Sequence, residues 1–134
     1  AQRIIYYTTK ELEALAEEIN PTAKIVLCDR GSLDGAVYWP YGQEDFFKTF
    51  NTTVGAEFER YYAVIHMSPP KEAKFYQNTS VRTESLERAL QVDEDILKLW
   101  QGHPRHIVIP ESNDYVKKAL IVRKTIRKII NGEI

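Results

Sequence analysis

The sequence has little cysteine, little net charge and no long apolar run. Only one of the 134 residues is a cysteine, so no disulfide can form within the chain, and a reducing cytoplasm is the expected location. The formal net charge of −1 excludes a basic protein that binds nucleic acid through its overall field. No apolar run approaches the roughly 18 residues of a membrane span. We therefore expect neither a membrane nor a nucleic acid as partner.

The segment that ends in Asp29 and Arg30 carries the clearest indication of a site. Four apolar residues, Ile25–Cys28, form a pattern typical of a parallel strand that is buried on both faces. Ligands in open α/β sheets bind beyond the carboxyl ends of strands, so the pattern predicts both side chains at a functional edge, with Gly31 turning the chain. A carboxylate at such an edge can bind Mg²⁺ or accept a proton from a substrate hydroxyl, and an arginine there can bind a phosphate.

The remaining pattern predicts an alternation of helices and strands. Thr83 and Asn113 are the predicted N-caps of the last two helices, and residues 71–82 are predicted to be a surface loop. This alternation predicts one α/β domain over residues 1–134, with a parallel sheet covered by helices. Helices are predicted over 3–19, 43–50, 54–60, 84–101 and 114–130, and strands at 24–28, 62–67 and 106–110.

Two residues within the predicted strands are expected to have structural roles. Cys28 is predicted to be a small buried apolar residue, and His66 is predicted to be a hydrogen-bonded core histidine. His103 and His106 invite a metal-binding interpretation, but two histidines three residues apart without a third ligand favour a structural role.

Other residues keep two interpretations open. Asp29 and Arg30 either form a site or make local hydrogen bonds at the end of a strand. Tyr38, Trp39 and Tyr41 either line a pocket or cover the sheet edge, since aromatic clusters usually pack. The basic outer side of the last helix is either solvated or meets an acidic partner or a nucleic acid. It lacks the interleaved aromatic residues that stack on single-stranded nucleic acid.

Several motifs in chain order resemble one known family. They are Leu27–Gly35 (LCDRGSLDG), Tyr38–Trp39, Val64–Met67, Asn78 with Arg82–Glu84, and Trp100–Pro104 (WQGHP). Together they resemble the NadR-like AAA ATP-binding domain family, which belongs to the P-loop NTPases and is close to nucleoside and nucleotide kinases. The resemblance covers nearly the whole chain and implies a three-layer α/β/α fold with a parallel sheet. It also implies ATP and Mg²⁺ as cofactors.

The resemblance assigns roles to individual residues. Asp29 corresponds to the acid after the Walker-B-like strand, which binds Mg²⁺ or acts as the general base. Arg30 corresponds to an arginine that binds phosphate or substrate, and Arg82 to a lid arginine that stabilises the transferring phosphoryl group. The remaining positions correspond to the acceptor pocket (Tyr38, Trp39), the lid (Asn78, Glu84) and the loop against which adenine packs (Pro110, Ser112, Asn113).

One feature of the family is missing from the sequence. A P-loop requires Gly-x-x-x-x-Gly-Lys-Ser/Thr, and no such motif occurs here. In the family this loop lies upstream, so we expect an N-terminal segment to supply it together with the first strand. The intact protein is then expected to transfer ATP's phosphate to an unknown acceptor or to hydrolyse ATP. The alternative is a non-catalytic interaction module whose exposed sheet edges self-associate or take a strand from a partner.

Overall fold

The fold is described here from a computed structural model, which covers residues 1–70 and 85–134. The chain divides into two compact units, unit 1 (Ala1–Tyr61) and unit 2 (Tyr62–Ile134). The predicted cap Thr83 and the predicted site residues Asn78, Arg82 and Glu84 lie outside the described residues. The elements are α1 Gln2–Ile19, α2 Asp34–Tyr38, α3 Gln43–Thr49, α4 Val54–Phe58, β1 Val64–Met67, α5 Leu86–Trp100, β2 His106–Ile109 and α6 Tyr115–Ile130.

Unit 2 contains a parallel pair of strands. β1 and β2 pair in register, with Val64 opposite His106 and Met67 opposite Ile109. The predicted strands over 62–67 and 106–110 are therefore confirmed to within two residues at each end. Helices and a parallel pair in one chain also confirm the α/β class at this coarser level.

Helix α5 is amphipathic and begins at a serine cap. The Ser85 side chain accepts a hydrogen bond from the Arg88 N–H group, which satisfies one of the unpaired donors of the first turn. Val92, Ile96 and Trp100 follow at intervals of four residues and are buried. Trp100 is among the most deeply buried side chains of the described chain.

Helix α6 begins one residue later than predicted. Its N-cap is Asp114, whose Oδ1 accepts from the Lys117 N–H at 3.1 Å, so the predicted cap Asn113 is wrong. The reason is local, because the Ser112 hydroxyl accepts from the Asp114 N–H and holds this turn outside the helix. The predicted end is confirmed at Asn131 and Gly132, where the glycine has φ +74°.

The core of unit 1 is aromatic. Tyr6 of α1 packs on Phe50 and Phe46, with ring centroids 4.1 and 5.6 Å apart. Leu33 and Ala36, at the start of α2, are buried as well. Edge-to-face and tilted pairs of this kind are the arrangements that aromatic rings prefer, and they hold α1 and α3 together within the unit.

The predicted strand at Lys24–Cys28 is wrong. The segment is irregular, and Leu27 is 66% exposed. A strand is stabilised by ladder hydrogen bonds to a neighbour, and among the described residues the sheet contains only β1 and β2. Cys28 is exposed too, so its predicted burial, which depended on the strand, is also wrong.

Helix α1 is where the periodicity predicts a helix, but its apolar residues lie at the surface. Tyr6 is its only buried residue. The apolar residues that follow the helical spacing are all exposed: Ile5, Leu12, Leu15 and Ile19. Spacing determines which residues share a face of a helix, but it does not determine what covers that face.

Candidate functional site

Asp29 and Arg30 form an exposed turn in unit 1. Arg30 has a φ of +76°, in the left-handed region that residues with a Cβ rarely adopt. Such a conformation costs about 1 kcal/mol or more, so it persists only where neighbouring residues hold the chain. The positive φ belongs to Arg30, and Gly31 begins the next turn, where its carbonyl accepts from the Asp34 N–H at 3.2 Å.

Ser32 fixes the chain immediately after this turn. Its N–H group donates to the Tyr61 hydroxyl at 2.9 Å, and its own hydroxyl donates to Glu57 Oε2 at 2.6 Å. Ser32 is buried, whereas Arg30 is exposed. Only Gly31 separates the exposed arginine from an anchor that holds both a backbone and a side-chain group.

The carboxylate of Glu57, on α4, is buried and accepts several hydrogen bonds. Its Oε1 accepts from the Tyr6 hydroxyl at 2.7 Å and from the Thr52 hydroxyl at 2.8 Å, and Oε2 accepts from Ser32. The Arg60 guanidinium lies 3.3 Å from Oε2. Burial acts to raise the pKa of Glu57, but these hydrogen bonds and the nearby charge outweigh it and hold the pKa below its ordinary value.

Tyr61 connects this carboxylate cluster to α1. Its hydroxyl donates to Glu13 Oε1 at 2.7 Å while it accepts from Ser32, and Arg60 binds the other Glu13 oxygen at 2.6 Å. Burial, with a smaller contribution from Glu13, raises the pKa of Tyr61 to about 12. Tyr61 therefore stays protonated at neutral pH, as a hydroxyl that both donates and accepts. We call Tyr6, Glu13, Ser32, Thr52, Glu57, Arg60 and Tyr61 the Glu57 network.

The aromatic residues beyond the turn pack together. Tyr38 ends α2, and the Trp39 indole N–H donates to Asp45 Oδ1 at 2.7 Å. The Trp39 ring lies 5.2 Å from that of Phe50 and 5.8 Å from that of Phe46. The packing interpretation therefore describes most of this ring's contacts, and the roles of Tyr38 and Trp39 in an acceptor pocket stay predictions.

The predicted adenine loop follows β2 in unit 2. Pro110 is exposed, and Ser112 makes its hydrogen bonds to the Asp114 backbone. Asn113 is exposed and also has interactions within the chain. This loop follows the carboxyl end of a parallel strand, which is where ligands bind in α/β sheets, and its contact with a base stays a prediction.

Comparison with known proteins identifies the family. The family model described as "AAA domain" matches residues 2–118 of the chain. The chain belongs to this family. AAA domains are P-loop NTPase-like, nucleotide-binding domains, so the predicted family is confirmed at this coarser level. No curated protein and no solved structure matches the chain closely enough to add to this assignment.

The residues that anchor the turn of this AAA domain were missed by the sequence analysis. Glu57 lies 25 residues from Ser32 and 51 from Tyr6, so no local spacing relates them. No local signal pointed to it, since adjacent residues of a helix do not share a face and glutamate is seldom fully buried. Its burial becomes visible only in the folded unit.

His66 of this AAA domain is buried, as predicted. Its Nε2 lies 2.7 Å from Asp93 Oδ1 of α5, within unit 2. The nearby His106 has a lowered pKa, because burial and the neighbouring His66 and His103 disfavour its charged form. His103 is buried, and its Nδ1 accepts from the Arg105 N–H at 3.0 Å. These contacts give the histidines a structural role in unit 2.

The described residues of the AAA domain contain neither a cluster of metal ligands nor a membrane-spanning helix. Within residues 1–70 and 85–134, no group of three or more His, Cys, Asp or Glu side chains is arranged to hold a metal ion. In the same part of the chain, none of the helices combines the length and the apolar character that crossing a membrane requires.

Proposed function

We propose that the native polypeptide containing this AAA domain binds ATP with Mg²⁺ and transfers or hydrolyses the γ-phosphate, as the NadR-like, kinase-related members do. The observation that carries the proposal is the Asp29–Arg30 turn. The turn exposes a carboxylate and a guanidinium to solvent, and Ser32, just after it, is hydrogen-bonded to a buried carboxylate. Phosphoryl transfer depends mainly on positioning and electrostatics, which such an anchored pair can supply.

Asp29 is proposed to bind Mg²⁺ or to accept a proton from the phosphate acceptor. Protein Mg²⁺ sites often contain only one or two carboxylates, with water and nucleotide phosphates completing the coordination. A single exposed carboxylate fits this donor set, although no multi-residue metal group exists among the described residues. Bound Mg²⁺ would supply charge neutralisation for the phosphate oxygens.

Arg30 is proposed to bind the transferring phosphate. Its planar guanidinium can donate two parallel hydrogen bonds to phosphate oxygens. The remaining predicted residues keep their roles as proposals: Arg82, Asn78 and Glu84 in the lid over the substrate, Tyr38 and Trp39 in the acceptor pocket, and Pro110, Ser112 and Asn113 near adenine. The cytoplasmic location inferred from the single cysteine is likewise a proposal.

The proposed architecture is one three-layer domain over residues 1–134, completed by a first strand and phosphate-binding loop from elsewhere in the native polypeptide. Support comes from unit 2, where His66 bonds to α5 while the next residue, Met67, lines a groove with Lys118 and Ala119 of α6. Adjacent residues of a strand face opposite sides of a sheet, so contacts of His66 with α5 and of Met67 with α6 are those expected of helices on both faces. Among the described residues, β1 pairs with β2 alone, which leaves its second edge for a further strand.

Changing Arg30 to Ala in the native polypeptide tests the proposal. We expect the affinity for Mg²⁺·ATP, measured by isothermal titration calorimetry, to fall at least about tenfold, since hydrogen bonds to charged groups contribute about 1.5–3 kcal/mol. Alanine keeps the Cβ and hence the backbone cost of the positive φ, so the change removes only the side chain. Lys24→Ala is the matched control, because Lys24 is another exposed cation on the same segment.

A second candidate function is a non-catalytic interaction module. The observations that favour it are the unpaired edge of β1 among the described residues and the exposed apolar residues of α1, such as Leu12 and Ile19. If the native polypeptide bound no Mg²⁺·ATP and instead self-associated or captured a strand, this function would replace the first.

The Arg30 test has an outcome of its own. If R30A and K24A bound Mg²⁺·ATP as well as the wild type, only the role of Arg30 would be wrong.

A further inference from the structure

The turn that carries Asp29 and Arg30 is short, exposed and held in an unfavourable backbone conformation. A left-handed arginine relaxes toward ordinary φ values unless its surroundings oppose this. The structure contains an anchor of the required kind directly after the turn. Both hydrogen-bonding groups of Ser32 that point into unit 1 have buried or half-buried partners.

The two partners of Ser32 are themselves fixed. Glu57 receives further hydrogen bonds from Tyr6 and Thr52 and lies next to Arg60. The Tyr61 hydroxyl donates to Glu13 and therefore offers its lone pair to the Ser32 N–H. These contacts hold the Glu57 carboxylate and the Tyr61 hydroxyl in place. The Ser32 hydroxyl and the Ser32 N–H group therefore each have a fixed partner.

We propose that Ser32, Glu57 and Tyr61 are positioning residues, which hold the Asp29–Arg30 turn in the conformation that receives the phosphates of the nucleotide. This inference rests on the proposed function and adds to it a buried support for the exposed residues. None of the three touches the phosphate. They act through the backbone, because one residue, Gly31, links the anchored serine to the arginine.

The chemistry of the network accounts for these residue types. An ionised carboxylate only accepts hydrogen bonds, so the Ser32 hydroxyl must be the donor to Glu57. The hydrogen bonds and the Arg60 charge that lower the pKa of Glu57 keep it ionised at neutral pH. Tyr61 stays protonated because its pKa is raised to about 12. The anchor is therefore constant across the neutral pH range.

The test compares two variants that release the turn with one that does not. In the native polypeptide, Tyr61→Phe removes the partner of the Ser32 N–H, and Ser32→Ala removes its hydroxyl. The control is Thr53→Ala, which removes the N-cap of α4, where the Thr53 side chain accepts from the Ala56 N–H, and leaves the Glu57 network in place. The readouts are amide hydrogen exchange at Ser32, the dissociation constant for Mg²⁺·ATP, and circular dichroism for folding.

We expect Y61F to speed exchange of the Ser32 amide by about tenfold or more, as loss of one hydrogen bond would. Both Y61F and S32A are expected to weaken Mg²⁺·ATP binding by about tenfold, while T53A changes neither quantity more than about twofold although it destabilises α4. Equal affinities in Y61F, S32A and T53A would overturn the positioning role while leaving the proposed function intact. No binding by the wild type would instead refute the proposed function, and the exchange rates would still show whether Tyr61 holds the turn.

Discussion

Replacing Glu57 with alanine is expected to lower the free energy of unfolding of unit 1 by about 3–5 kcal/mol, because three hydroxyl groups lose their acceptor and each unsatisfied buried donor costs about 1–3 kcal/mol. Arg60 loses one of its two carboxylate neighbours but keeps its ion pair with Glu13, so the cost comes from the hydroxyl groups rather than from an uncompensated charge. Because domains are stable by only about 5–15 kcal/mol, this is a large fraction of the total. Amide hydrogen exchange of peptides from residues 1–61 measures the change for this unit alone.

The matched control for Glu57→Ala is Thr52→Val, which removes one hydroxyl donor from the same carboxylate and keeps the side-chain shape. A single hydrogen bond contributes about 1 kcal/mol, so T52V is expected to cost several-fold less than E57A. If E57A cost no more than T52V, the buried carboxylate would not be the centre of the network.

The same network predicts how stability depends on pH. The pKa of Glu57 is lower in the folded chain than its ordinary value, so the unfolded chain binds its proton more readily. The stabilisation is therefore fully present above the unfolded pKa, about 4.3 for a glutamate, and is lost as the pH falls through the folded value. Unit 1 of the wild type should lose stability below that pH, and E57A should show a smaller loss over the same interval.

The second large effect is expected at Asp29. Changing Asp29 to Asn in the native polypeptide should lower kcat for ATP turnover by about 10²–10⁴-fold, the usual contribution of a general base. The free energy of unfolding should change by less than about 0.5 kcal/mol, because the side chain is exposed. Steady-state release of ADP measures the rate, and urea titration measures the stability.

Glu18→Gln serves as the control for Asp29→Asn, since Glu18 is an exposed carboxylate on α1 with no assigned role. It is expected to keep the wild-type rate. If D29N turned over ATP at the wild-type rate, Asp29 would be neither the metal ligand nor the general base, even if Mg²⁺·ATP still bound to the protein.

Local patterns were sufficient to predict five of the six described helices and two of the three predicted strands, but α2, Asp34–Tyr38, was not predicted. Apolar spacing gave α1, α3, α4, α5 and α6 with small errors at their ends, and continuous apolar runs gave β1 and β2. The parallel pairing also followed from the alternation of elements along the chain. These features depend on contacts between near neighbours or on chain order, which the sequence displays directly.

Features that depend on distant partners were not predictable in this way. Ile25–Cys28 has the composition of a buried strand, but a strand also needs a ladder, and no described strand pairs with it. The burial of Glu57 depends on Tyr6 and Ser32, which are far away along the chain. Asp29 and Arg30 themselves came from a strand-end pattern and a family resemblance, and they lie together in one turn although the strand before them is absent.

The most direct test of this account is to map Mg²⁺·ATP binding on the native polypeptide by ¹H–¹⁵N NMR. The account predicts saturable shifts that are largest at the amides of Asp29, Arg30 and Gly31, with the shifts at Arg30 reduced when Mg²⁺ is left out. Saturable binding that leaves these three amides unchanged would contradict the account, because the nucleotide would then bind away from the turn.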